Sequence, residues 1–90
     1  MRLLETFPPE NTLETMVRDP IVNAIPEPYV NYIDLSQKRI VQFYIDWKRE
    51  GLESAVEKLM QESFKDVDLA DKFYVLAYDA LQPRFAPYKK

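Results

Sequence analysis

Histidine and cysteine are both absent from these 90 residues. The first absence removes the side chain that most often serves as general base or metal ligand, and the second removes the strongest thiolate nucleophile. Carboxylates are left as the residue type able to do chemistry, and they cluster at Asp66, Asp68 and Asp71. That spacing begins like a calcium-binding loop, but such a loop puts an oxygen donor fifth, glycine sixth and glutamate twelfth. This chain has Ala70, Asp71 and Ala77 in those places. Acids ahead of an apolar run are what a helix start attracts, because its free amide groups and dipole favour negative charge. Glu50, Glu53 and Glu57 recur along one helical flank, and without a metal or a converging second carboxylate such a row reads as a solvated face. Ser36, Ser54 and Ser63 stand in no nucleophile motif, and a single glycine, Gly51, excludes the phosphate-cradling loops. The expectation is no enzyme: no catalytic residue, no cofactor and no metal.

The elements that would carry these residues are marked out by proline. Pro8, Pro9, Pro20, Pro26 and Pro28 fall in the first third and Pro83 and Pro87 near the end, which leaves 29–82 free for long helices. With one glycine the tight turns of β-hairpins have little to work with, so an all-β fold is not expected. Ser36 precedes Ile40, Phe43, Tyr44 and Trp47, whose spacing of i, i+3, i+4 and i+7 predicts a helix over 36–50 that ends at Gly51. Leu52, Ala55, Val56, Leu59 and Met60 form a second stripe, over 52–64, and a sharp break at Gly51 is preferred to one kinked helix. Asp66 or Asp68 caps a third helix over 68–81, carried by Leu69, Phe73, Leu76, Ala77 and Ala80 and stopped by Pro83, which disfavours helical backbone at Gln82.

Ahead of these, Asn11 and Glu14 match a capping box for a turn or two through Arg18, and Asp19 caps a second piece with Pro20 at its first position. The stretch 25–29 and the tail 83–90 read as extended and flexible. The prediction is therefore an all-α fold and one domain, 1–90. It is a small antiparallel bundle of three main helices, with short helical turns in a proline-rich, acidic N-terminal segment, 1–35, packed on it.

Charge narrows the partners. Net charge is -3, and 1–35 holds six acids against Arg2 and Arg18. No basic stripe is present to neutralise phosphates, so nucleic acid is not expected as a partner. No apolar run approaches the roughly 20 residues that a bilayer demands, and the first residues do not read as a secretion signal, so neither a membrane nor export is expected. Lack of cysteine fits a reducing, cytoplasmic setting.

The 36–50 and 68–81 helices are apolar around more of their circumference than one core contact needs. The first adds Val41 and Ile45 to its stripe, and the other adds Ala70, Tyr74, Tyr78 and Leu81. The remaining polar strip of Asp68, Asp71, Lys72, Asp79 and Gln82 is interrupted by Val75. One explanation is intramolecular: Leu13, Met16, Val17, Ile21, Val22 and Ile25 fold over the second face. The other is an exposed patch, which on a soluble protein marks a binding surface or a homodimer seam. Its anchors would be Trp47, Tyr74, Tyr78 and Leu81, with Arg84, Phe85 and Tyr88 of the tail acting as a docking peptide. The function expected is a protein–protein interaction module: a small regulator, adaptor or accessory subunit. The alternative is a self-associating component of a viral or other assembly. A DNA-binding regulator has the least support, because the 52–64 helix offers Glu53, Glu57 and Glu62 against Lys58 alone.

Overall fold

Gly51 has φ 103° and ψ 172°, a conformation open to glycine and strained for other residues, and the chain turns there between two helices with no other linker. In the computed structural model, which describes residues 12–88, four helices and a short 3₁₀ turn are present, with no strands among the described residues. Helix α1 spans Leu13–Ala24, the 3₁₀ turn Tyr29–Tyr32, α2 Gln37–Glu50, α3 Leu52–Ser63 and α4 Val67–Phe85.

The break at Gly51 and the α2 and α3 boundaries match the apolar spacing. Arg39 near the start of α2 pairs with Glu62 near the end of α3 at 3.2 Å, so the two helices run back along one another. Ser36 stands at the α2 N-cap, but its hydroxyl makes no capping bond; its N–H donates to Asp34 Oδ1 instead. Asp66 does cap α4, its Oδ1 accepting from the N–H groups of Asp68 at 2.9 Å and Leu69 at 3.3 Å. Helix α4 then returns along α3, with Tyr74 Oη donating to Glu53 O at 3.4 Å near the far end of α3.

Five expectations are corrected, the first being that of three main helices: α1, at 12 residues as long as α3, is a fourth. Pro83 does not stop the last helix, which continues through it to Phe85. Burial of Phe85 between Phe43 and Trp47, with ring centroids 5.5 and 5.0 Å away, outweighs the restriction that proline places on Gln82. The tail is accordingly ordered as far as Tyr88, whose N–H donates to Phe85 O; Lys89 and Lys90 lie outside the described residues. Pro20 likewise sits inside one continuous α1, not at the start of a second piece, because Leu13, Val17, Pro20 and Ile21 share a buried face only if the helix runs on. Asn11 of the proposed capping box lies outside the described residues. The stretch 25–29 is a turn, not extended: Glu27–Pro28 is cis, and Val30 N–H donates to Pro26 O.

Helix α1 lies against both α2 and α4. Leu13, Val17, Ile21 and Ile25 join one core cluster with Ile40, Phe43 and Trp47 of α2, Val56, Leu59 and Met60 of α3, and Ala70, Phe73, Ala77 and Leu81 of α4. The intramolecular explanation for the second apolar faces thus accounts for much of them. Arg18 fastens the arrangement, donating to Leu35 O from Nε at 3.1 Å and Nη2 at 2.8 Å. The linker that follows is tied to the end of α3 by Asp34 N–H donating to Ser63 O at 2.9 Å. Among the described residues, no helix is long and apolar enough to cross a membrane.

Candidate functional site

The residues proposed as docking anchors separate into two groups. Trp47, Leu81 and Phe85 are 3%, 0% and 2% exposed, so they are core side chains and present nothing to a partner in this conformation. Trp47 lies between Tyr44 and Phe85, and Leu81 faces inward on α4. Tyr74 and Tyr78 are half-buried, stacked with ring centroids 6.0 Å apart. Arg84 is exposed in the last turn of α4, and Tyr88 packs half-buried on the core. The structure therefore brings Trp47, Leu81 and Phe85 together, and it does so on the inside.

Three surface depressions remain to be weighed. A cleft of about 360 Å³ between α3 and α4 is lined by Glu57, Gln61, Asp71 and Tyr74. It holds two carboxylates, but both residues are exposed, and acid–base work by a carboxylate pair needs a site that excludes water. The phenol of Tyr74 is pushed above the usual tyrosine range, first by burial and then by the charges of Glu53, Tyr78 and Glu57. It stays a neutral hydrogen-bond donor at ordinary pH, consistent with its bond to Glu53 O. The cleft presents this hydroxyl together with two solvent-exposed carboxylates.

A second hollow of about 450 Å³ lies where Tyr32 and Asp34 meet Ser63, Phe64, Lys65 and Leu69. Its carboxylates are already engaged: Asp34 accepts from Ser36 N–H and pairs with Arg39 at 3.6 Å, and Asp66 caps α4. Ser63 Oγ is buried without a hydrogen-bond partner among the described residues. A third groove, of about 400 Å³, runs between the start of α1 and α2, with Val41, Ile45, Tyr44 and Lys48 along it.

Among the described residues, no group of three or more acids is placed to hold a metal ion. Asp66 and Asp68 instead occupy the first turn of α4, where Asp66 is bonded to backbone amides.

What the structure leaves outward is a different apolar set from the one proposed. Val75 and Leu76 are 59% and 41% exposed at the middle of α4, and Val41 and Ile45 lie exposed on α2. Periodicity gave a signal for Val41 and Ile45, which widen the α2 stripe, but it put Leu76 in the core stripe of the last helix and Val75 in its polar strip; the exposure of Leu76 corrects that expectation. The hollow at Tyr32 had no such signal, because it arises from two segments about thirty residues apart meeting in space. Comparison with protein-family models, with curated proteins and with solved structures finds no match to this chain, so its surfaces are judged by their chemistry alone.

Proposed function

We propose that this chain is a non-enzymatic protein–protein interaction module, a small regulator, adaptor or accessory subunit working in a reducing, cytoplasmic setting. One observation carries the reading: after α1 has covered the inner apolar faces, Val75 and Leu76 remain exposed side by side at the centre of the longest helix. Scattered single apolar residues on a surface need no explanation, but paired ones on a helix face flanked by charge are the pattern of a contact surface. Val41 and Ile45, one turn apart on α2, repeat it on another side.

Affinity capture from a lysate of the source cells tests the proposal when wild type is compared with Val75→Asp and with Val41→Asp/Ile45→Asp. A partner held by wild type and lost by one of these variants, with helical content unchanged, supports it. Wild type that retains nothing and stays monomeric overturns it. Self-association is the second reading, favoured by the order of charges along α4.

A further inference from the structure

We propose that the occupant of the outer α4 face is a second copy of the same face, paired antiparallel about a two-fold axis passing between Val75 and Leu76; this rests on the reading of the chain as an interaction module. With 3.6 residues per turn, Lys72, Val75, Leu76 and Asp79 fall within about a 100° sector of α4. All four are exposed. In an antiparallel pair of identical helices, residues equally far from the axis on opposite sides face one another. Val75 and Leu76, on opposite sides of the mid-line and almost on the axis, then each meet their own counterpart in the other copy. Lys72 and Asp79 lie symmetrically about the same midpoint, each about 5 Å along the helix from it, so each Lys72 stands opposite the other copy's Asp79.

The face is thus complementary to itself in apolar contact and in charge together. A parallel pairing would set Lys72 against Lys72 and Asp79 against Asp79. The Asp79 carboxylate forms no ion pair or hydrogen bond with the described residues. The Lys72 ammonium lies 5.4 Å from the Tyr29 ring centroid and 5.6 Å from that of Phe73, contacts that leave it charged and the residue exposed. The seam is one helix long with two apolar side chains per copy at its centre, which puts it in the small class of interfaces, below about 1,200 Å². The association is accordingly weak, reversible and concentration-dependent.

Sedimentation velocity from roughly micromolar to millimolar protein tests this with charge reversals. Wild type is expected to shift from monomer to dimer and no further. Lys72→Glu and Asp79→Lys, separately, each replace two attractive pairs with two repulsive ones and weaken the dimer by about tenfold or more. The double variant Lys72→Glu/Asp79→Lys restores it. Asp79→Lys guards against loss of the ring contact, since Asp79 supports nothing inside the molecule, and circular dichroism confirms the fold. A wild-type dimer indifferent to both reversals, or a double variant that stays monomeric, overturns the pairing while leaving the interaction reading intact. Strictly monomeric wild type that still captures a Val75-dependent partner also overturns the pairing and assigns the face to another protein. Failure of both measurements removes the broader reading as well.

Discussion

Phe85 touches the rings of Phe43 and Trp47 from the last turn of α4, so one side chain near the C-terminus closes the core that α2 opens. Replacing it with alanine leaves a hole that the surrounding rings cannot collapse into, and Phe85→Ala should cost about 3–5 kcal/mol in urea unfolding. A cost under about 1 kcal/mol would mean that the last turn is peripheral after all. At the surface, Glu50 receives hydrogen bonds from Lys58 Nζ at 2.9 Å and Ser54 Oγ at 2.7 Å. The Lys58 bond, then that of Ser54, holds the Glu50 carboxyl below its ordinary value of 4.5. A lowered carboxyl pKa stabilises the fold fully above 4.5, and that contribution is lost as pH falls through the lower folded value. The stability gap between wild type and Glu50→Gln should therefore be flat near neutrality and shrink in acid below 4.5, as read by thermal melts across pH. A gap unchanged down to full protonation would deny the pair any role. Lys58, raised by the same bond, acts in the opposite limb: its contribution holds below its ordinary 10.5 and fades as pH rises through the folded value.

Helix boundaries show where local sequence rules prevail and where packing overrides them. Gly51 sets the α2–α3 break by itself, because φ 103° with ψ 172° belongs to a region that a Cβ disfavours. Gly51→Ala should destabilise the protein by about 1–3 kcal/mol in urea unfolding, whereas an unchanged midpoint would show that the break has other causes. The spacing of Ile40, Phe43, Tyr44 and Trp47, and of Ala55, Val56, Leu59 and Met60, made α2 and α3 readable directly, since period and core face agree there. Asp66 was readable for the same reason, being a strong cap ahead of an apolar run. Pro20 and Pro83 misled because the backbone preference of proline is local, while the benefit of burying Ile21 or Phe85 depends on partners more than twenty residues away. The exposed apolar surface was only half legible. Leu76 was expected in the core stripe of α4 and Leu81 on its second face, but Leu81 is buried and Leu76 exposed, an outcome set by the helices packed around α4, which periodicity within α4 does not encode.

At the scale of the molecule, α1 is the element that turns a helical hairpin and its following helix into a closed core. It contributes Leu13, Val17, Ile21 and Ile25 to the cluster and clasps the next linker through Arg18 and Leu35 O. Having spent its apolar face inward, it leaves α4 with a short apolar centre bracketed by Lys72 and Asp79 and facing water. The central claim is that this centre meets another polypeptide. The sequence has no cysteine, so a single introduced thiol can carry a photo-crosslinker at a chosen place without interference. Val75→Cys on α4 and Thr15→Cys on the exposed side of α1, each labelled and irradiated in a lysate of the source cells, give the direct comparison. Position 75 should yield a covalent adduct with another polypeptide, a second copy included, well above that from position 15. Equal yields from the two positions, or none from either, would contradict the account.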